Sequence, residues 1–319
     1  INMSWKANEE RSTLFKMNLT SLQTQYNKSE KRFFILKISK PPLARTLDIL
    51  NELASDKANI VFVLSSFSKS VLEILYNRSP NVGLLAENGA YIRIDDNWYN
   101  MADQIDWRTD VIKIFDDKME RLPGSYYKVS DSLVKFHTEN AIDKERVKGT
   151  IGDIITHINS TFQDKDVHAY VLNDIIYVQQ KGLAVQALQF LLNFYNSATM
   201  NNETNNNTNE TNNVSSVAAN FKKLLSHTTK ITQPKTDTET KSDNSGKMSM
   251  IPIDFMLVAG SSSPILEPIF NVINKCSKNG DFKFGHTITY GRGSVSTFAK
   301  EHITGLNELL NSLSRISNS

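Results

Sequence analysis

The chain has 319 residues, 39% of them hydrophobic, and a formal net charge of +2 at pH 7. A charge this close to balance gives no reason to expect a nucleic acid or an acidic membrane as partner. Cys276 is the only cysteine, which excludes an internal disulfide framework, and no apolar run is long enough to cross a bilayer. The length suits about two domains of ~150 residues. We expect a cytoplasmic protein and, because the chain begins at Ile1, part of a longer polypeptide.

Taken in chain order, the first elements alternate between strand and helix. Apolar residues at helical spacing between Leu14 and Leu22 predict a short helix within residues 1–30. Two all-apolar runs then predict buried strands, and the first ends before two prolines that cannot continue a sheet ladder. The strands are predicted at Arg32–Ile38 and Asn59–Leu64, and the helices after them at Thr46–Ala54 and Lys69–Tyr76. This alternation predicts a parallel sheet that is covered on both faces.

The end of the first strand, Phe33-Phe34-Ile35-Leu36-Lys37-Ile38-Ser39, carries a resemblance to a known family. It resembles the segment RLFLFDYDGTL of the trehalose-6-phosphate phosphatases, a branch of the haloacid dehalogenase (HAD) superfamily. In that family the first Asp is the nucleophile and a Mg²⁺ ligand, and the second is the general acid and base. The resemblance places Lys37 and Ser39 at these two positions, where neither side chain can do the family's chemistry.

Two further motifs come next in the chain. Val63–Ser68 resembles the family's ISGR segment, with Ser65 at the phosphate-binding hydroxyl and Ser66-Phe67 in place of Gly-Arg. Gly83–Arg93 resembles GLAAEHGAYIR, and its Asn88-Gly89 pair predicts a tight turn because both residues tolerate positive φ. The resemblance therefore implies that the backbone of the family is kept at these positions.

Residues 107–180 are expected to form an α+β cap domain inserted into the HAD-like core. Glu120–Ser130 resembles ERTPGSFIEEK, and Val134–His137 resembles VTFH. The family's sugar-binding Glu and Lys fall on Lys128 and Ser130, which reverses the hydrogen-bonding sense of the first position. The alternative is that Lys128 is an exposed charge on a cap strand.

The remaining boundaries come from a second phosphate motif and a change of composition. Lys181-Gly182 resembles the family's phosphate-binding Lys-Gly, so that Ser65 and Lys181 would be the two residual phosphate-binding groups. The Asn-, Thr- and Lys-rich composition of residues 196–247 predicts disorder. The expected division is core at 1–106, cap at 107–180, a core helix at 181–195, the insert at 196–247 and core again at 248–319.

The last motif begins at the strand Asp254–Gly260, which the family continues as GDDRTDEDMF. Here Ser261 and Ser262 stand at the metal-binding aspartates, and only Glu267 keeps its negative charge. Because Mg²⁺ is held by carboxylates and phosphate, the resemblance implies no metal and no cofactor. We expect the Lys37 ammonium to replace the metal's charge. Alternatives are that Lys37 points into solvent, or that Lys37 and Ser39 form a Ser-Lys nucleophilic pair.

Within the family, the pattern is similar to the degenerate phosphatase-like domains in regulatory subunits of the fungal trehalose synthase complex. The resemblance implies a non-catalytic regulatory and scaffolding role, with trehalose-6-phosphate synthase and phosphatase subunits as partners. One alternative is a sensor that binds trehalose-6-phosphate weakly through Ser65, Lys181 and Lys37 without turnover. Another is an active phosphatase with unusual residues.

Overall fold

A computed structural model describes residues 14–103, 105–197, 252–291 and 296–319. Within these ranges the chain forms two sheets, one of nine strands and one of four. The strands are β1 (Phe15–Lys16), β2 (Arg32–Lys37), β3 (Asn59–Leu64), β4 (Gly83–Ala86), β5 (Tyr91–Ile94), β6 (Asn97–Asn100), β7 (Tyr126–Val129), β8 (Leu133–His137), β9 (Val167–Leu172), β10 (Ile175–Gln180), β11 (Phe255–Gly260), β12 (Phe284–Tyr290) and β13 (Glu301–Ile303).

The nine-stranded sheet has the order β1-β13-β12-β11-β2-β3-β4-β5-β6. Its neighbours are parallel from β1 through β4, and only the last two pairings, β4 with β5 and β5 with β6, are antiparallel. The helices that pack on it are α1 (Leu19–Asn27), α2 (Ala44–Ser55), α3 (Lys69–Leu75), α6 (Leu183–Ser197), α7 (Leu266–Lys278) and α8 (Leu306–Ser317). We call this unit the large domain.

Helices cover both faces of the large sheet, and β2 shows why its sequence is apolar throughout. Phe34 and Leu36 lie in one core with residues of α1, α2, α3 and α8, whereas Phe33 and Ile35 lie in a second core with α6 and α7. All four side chains are fully buried. A strand in the middle of a doubly covered parallel sheet has no solvent face, so no alternation is expected in its sequence. The predicted α/β fold class with a parallel core is confirmed.

Residues 108–180 form the second unit, which we call the small domain. Its antiparallel sheet has the order β7-β8-β10-β9 and packs one face against α4 (Arg108–Arg121) and α5 (Lys144–Thr161). Phe115, Phe136 and Ile154 are fully buried in this third core. The opposite face of the sheet carries Lys135, Tyr177 and Gln179 and makes contact with the large domain.

The prediction for the start of the first helix is wrong, and the prediction for the insert lies mostly outside the described residues. The apolar spacing predicts a helix that includes Leu14 and Phe15, but Phe15–Lys16 is an edge strand that pairs in parallel with β13, and α1 begins only at Leu19. Helical spacing misled here because the partner strand lies almost 300 residues away in the sequence. Residues 198–251, most of the predicted disordered insert, lie outside the described residues.

The two described ends that flank residues 198–251 meet in space. The backbone N–H of Ile253 donates a hydrogen bond to Oδ1 of Asn196, at 3.3 Å.

Within the described ranges, none of the helices combines the length and the apolarity that crossing a bilayer requires.

Candidate functional site

Three neighbouring parallel strands bring the motif residues to one edge of the large sheet. β2 lies between β11 and β3, and these strands end at Lys37, Gly260 and Leu64. The loops that begin with Ile38, Ser261 and Ser65 therefore start side by side. In open α/β sheets this carboxyl edge is where ligands bind.

Lys37 lies at the centre of this edge and is buried. Its side chain is only 9% exposed, and Nζ donates a hydrogen bond to Oγ of Ser263, at 3.2 Å. Burial lowers the pKa of the Lys37 ammonium to about 8. Among the described residues no carboxylate forms an ion pair with it. The alternative that Lys37 points into solvent is therefore wrong, and its hydrogen-bond partner is Ser263, not Ser39.

Gly260 leaves the space in which the Lys37 side chain lies. A Cβ atom on Gly260 would be 2.7 Å from Cβ of Lys37 and 2.4 Å from Cδ1 of Leu266. Real Cβ atoms do not approach other carbon atoms so closely, so glycine is required at this strand end for the observed packing.

The loop after β11 uses its hydroxyl groups to begin α7. Oγ of Ser263 accepts a hydrogen bond from the backbone N–H of Leu266, at 3.2 Å, in addition to the one from Lys37. Ser261 is exposed and Ser262 is half-buried. The Ser262 hydroxyl donates to Oε1 of Glu267, at 2.6 Å.

Glu267 is the one position of the last motif that keeps its negative charge, and its carboxylate accepts hydrogen bonds from three donors. Besides Ser262, the hydroxyl of Thr297 donates to Oε1 at 2.7 Å, and the backbone N–H of Phe298 donates to Oε2 at 2.7 Å. These bonds tie the start of α7 to the segment before β13. The carboxylate therefore has a structural role in joining two chain segments.

The residues at this edge do not fit the Mg²⁺ ion that the similar family binds at the corresponding positions. Mg²⁺ binds near-octahedral sets of oxygen ligands in which at least one or two are carboxylates. The side chains beside β2 and β11 supply hydroxyl groups and an ammonium, and within the described ranges no group of three or more His, Cys, Asp and Glu residues could hold a metal ion. An ammonium at the position of a ligand repels a cation.

The two candidate phosphate-binding groups lie in different surroundings. Ser65 is 1% exposed, and its Oγ accepts a hydrogen bond from the backbone N–H of Phe67, at 3.1 Å. Lys181 is exposed, and its charge helps to lower the pKa of His168, after burial as the larger cause. No hydrogen bond among the described residues joins Lys181 to Ser65 or to Lys37. Ser39 is exposed as well.

The candidate sugar-binding residues lie at one end of the small sheet. Lys128 is exposed, with Nζ 5.7 Å from the ring centroid of Tyr126. The backbone of Ser130 closes the turn between β7 and β8, because its N–H donates to the carbonyl of Leu133 at 2.8 Å. Its carbonyl accepts a hydrogen bond from Arg108, at 2.8 Å. This geometry agrees with Lys128 as an exposed charge on a strand.

The turn between β4 and β5 connects the two domains through polar side chains. Asn88 has φ 59° and Gly89 has φ 98°, in agreement with the turn predicted there. The side-chain amide of Asn88 donates to the hydroxyl of Tyr170 at 3.1 Å and to Oε1 of Gln179 at 2.9 Å. The Gln179 amide donates in return to the carbonyl of Glu87, at 3.1 Å.

Lys135 and Glu87 also take part in this interface, and sequence reasoning did not single them out. Lys135 Nζ donates to Oγ of Ser66, at 3.0 Å, and burial, with a smaller effect of the Lys128 charge, lowers the pKa of Lys135 to about 8. Oε1 of Glu87 accepts from the backbone N–H of Ser132, at 2.8 Å, and burial raises the pKa of this carboxyl group. A lysine within the apolar run Leu133–Phe136 was the available signal.

Comparison with known proteins finds a family and relatives for almost the whole chain. The family model described as trehalose-phosphatase matches residues 25–270. The trehalose synthase complex regulatory subunits TSL1 and TPS3 of Saccharomyces cerevisiae are 47% and 46% identical over 99% and 97% of this chain. The chain spans only 27% of the length of each of these two relatives.

Solved structures give the same result for the fold. The C-terminal domain of the Candida albicans trehalose synthase regulatory protein superposes with a TM-score of 0.72 at 25% identity, covering 95% of this chain and 99% of that one. The C-terminal domain of C. albicans trehalose-6-phosphate phosphatase superposes with a TM-score of 0.70 at 19% identity, covering 96% and 99%. The family expected from the sequence motifs is confirmed: the chain belongs to the trehalose-phosphatase family.

Proposed function

We propose that the chain is a catalytically inactive phosphatase-like domain that serves as a regulatory and scaffolding part of a cytoplasmic trehalose synthase complex. The observation that carries the proposal is the state of the carboxyl edge of the large sheet. There the buried ammonium of Lys37 bonds to Ser263, and the carboxylate of Glu267 is held by three donors. The similarity to TSL1 and TPS3, both named as regulatory subunits, supports the second half of the proposal.

The chemistry of phosphoryl transfer explains why the residues at this edge are not expected to hydrolyse a phosphate ester. Enzymes accelerate the reaction by positioning the groups and by neutralising charge with metal ions and cations. A lysine at the nucleophile position cannot form the aspartyl-phosphate of the family, and Ser261 and Ser262 offer no negative charge to Mg²⁺. Loss of even one member of such a catalytic unit commonly reduces the rate by several orders of magnitude.

A phosphate-release assay tests the first half of the proposal. The purified chain with trehalose-6-phosphate and Mg²⁺ is expected to release no more phosphate than a heat-denatured sample. A matched variant restores the four acidic residues by the substitutions Lys37→Asp, Ser39→Asp, Ser261→Asp and Ser262→Asp. We expect Mg²⁺ to raise the Tm of this variant but not that of the native chain. Phosphate release by the native chain that depends on Mg²⁺ would contradict the proposal.

Association with partner subunits tests the second half. Purified trehalose-6-phosphate synthase and trehalose-6-phosphate phosphatase subunits are mixed with the chain at physiological salt and separated by size-exclusion chromatography. We expect the chain to elute with at least one of them, because the relatives are subunits of a complex. Separate elution of all components at micromolar concentration would contradict the scaffolding role. It would not bear on the proposal that the chain is catalytically inactive.

A second candidate function is a sensor that binds trehalose-6-phosphate without turnover. One observation favours it: Lys37 is a buried ammonium with no carboxylate partner among the described residues, and an anion would compensate its charge. Titration calorimetry with trehalose-6-phosphate should then give heat that disappears in Lys37→Met. The absence of heat with the native chain at millimolar ligand would exclude this function.

A further inference from the structure

The contact between Lys135 and the large domain joins four residues from three separate segments. Lys135 lies on β8, and Tyr177 lies directly opposite it on β10. Ser66 and Phe67 follow β3 in the large domain, and both contact the Lys135 side chain. Its Nζ is 3.0 Å from Oγ of Ser66, 5.8 Å from the ring centroid of Phe67 and 5.6 Å from that of Tyr177. The ammonium thus lies between two aromatic rings, one from each domain.

This contact lies away from the place where the chain crosses between the domains. One crossing leads into α4 and the other follows β10. Gln180, the last residue of β10, is tied to Asp103 of the first crossing, whose backbone N–H donates to Oε1 of Gln180 at 3.2 Å. Tyr177 is three residues before Gln180, which is about 10 Å along a strand. A bond at that distance from the crossing opposes rotation of one domain away from the other.

The residues that make the contact also differ from the family motifs quoted above. Ser66-Phe67 stands where the family pattern has Gly-Arg, and Lys135 stands where VTFH has Thr. The two motifs are almost 70 residues apart in the sequence, yet the residues that replace the family pattern in both of them touch each other. The two departures therefore form one structural feature.

We propose that Lys135, Ser66, Phe67 and Tyr177 form a latch that holds the small domain against the large domain. The ammonium contributes a hydrogen bond and two cation–π contacts. Among the described residues no carboxylate forms an ion pair with it, and the negative charge of Glu87 favours its charged form from a longer distance. The latch is independent of catalysis and of the proposed partners. Its consequence is that both domains present one fixed surface.

The backbone amide of Ser132 reports opening of the domains directly. Ser132 belongs to the small domain and is 1% exposed, and its N–H donates to the carboxylate of Glu87 in the large domain. Hydrogen exchange at this amide therefore requires the domains to separate. The amide of Ala169 is a matched reference, because it donates to Oδ1 of Asn159 within the small domain, at 2.7 Å.

The experiment measures hydrogen exchange at these two amides in the full chain and in three variants. Lys135→Met keeps the length of the side chain and removes its charge, and we expect exchange at Ser132 to rise about tenfold. Ser66→Ala removes the hydrogen-bond acceptor of Lys135 together with the hydrogen bond between the Ser66 hydroxyl and Tyr177, and a rise of about two- to fivefold is expected. Lys128→Met is the control: it removes the same charge from the residue opposite Lys135 in the register and leaves the latch residues in place. Because the Lys128 charge disfavours the charged form of Lys135, exchange at Ser132 should not rise in this variant.

A rise at Ser132 in both latch variants, with Ala169 unchanged, supports the latch. Unchanged exchange at Ser132 in Lys135→Met would overturn it. An equal rise at Ser132 and Ala169 would also overturn it, because the small domain itself would then be destabilised. The same holds if Lys128→Met has the same effect as Lys135→Met.

Discussion

Replacement of Lys37 by methionine should make the protein more stable at neutral pH. Methionine has a similar length and no charge, so it fills the same space without burying an ammonium. Burial lowers the pKa of Lys37 from 10.5 to about 8, and a difference of this size corresponds to a cost of about 3 kcal/mol for the charged side chain. The hydrogen bond to Ser263 offsets about 1 kcal/mol of this cost. The expected gain is about 2 kcal/mol in the free energy of unfolding.

The gain should depend on pH in a defined direction. Because the pKa of Lys37 is lower in the folded chain than in an unfolded one, the unfolded chain binds more protons between about pH 8 and pH 10.5. The native chain therefore becomes more stable as the pH rises through this window, and the cost of the buried charge is complete only below it. At pH 10 the remaining cost is under about 1 kcal/mol, so Lys37→Met and the native chain should be almost equally stable.

Urea unfolding followed by circular dichroism at pH 7 and pH 10 measures the effect. The comparison between variant and native chain at each pH cancels the other titrating groups, including Lys135. Lys40→Met is the control, since Lys40 is exposed, and its effect should stay within about 0.5 kcal/mol at both pH values. A destabilised Lys37→Met at pH 7, or a gain that is the same at both pH values, would refute the reasoning.

Three further predictions concern packing and hydrogen bonding, all measurable by urea unfolding. Gly260→Ala should cost about 1–3 kcal/mol because its Cβ meets the Lys37 and Leu266 side chains. Gly152→Ala, in open space within α5, should instead stabilise by about 1 kcal/mol, and equal effects would contradict the packing argument. Glu267→Gln should cost roughly 1–2 kcal/mol, since its new NH₂ group would face donors, and a neutral result would show that those bonds are absent. Asn88→Ala should cost about 2–3 kcal/mol through lost hydrogen bonds and positive φ; Asn88→Gly should cost less.

The sequence was sufficient for the elements that a local pattern determines. The all-apolar run of β2 predicted a strand buried on both faces, and Asn88-Gly89 predicted the turn, because both depend on residues next to each other. The sequence did not predict which strand lies beside β2 on the side opposite β3, where β11 pairs with it in parallel. The edge strand β1 was missed since its partner, β13, lies near the other end of the chain.

The details of the site depend on contacts between distant segments, and these could not be predicted. The substitutions at Lys37 and Ser262 were visible in the sequence, but their partners were not. Lys37 bonds to Ser263, 226 residues away, and the acceptor of Ser262, Glu267, is shared with Thr297. Which of several neighbouring hydroxyl groups an ammonium reaches depends on the register of two strands and on the space that Gly260 leaves.

The hydrogen bond between Asn196 and Ile253 has a consequence for the folding order of the large domain. It joins the last turn of α6 to the segment that leads into β11, although the two residues are 57 positions apart in the chain. The free-energy cost of bringing two points of a chain together grows only slowly with their separation. The docking of α6 beside β11 therefore depends mainly on the packing of these two elements and only weakly on the length of chain that separates them.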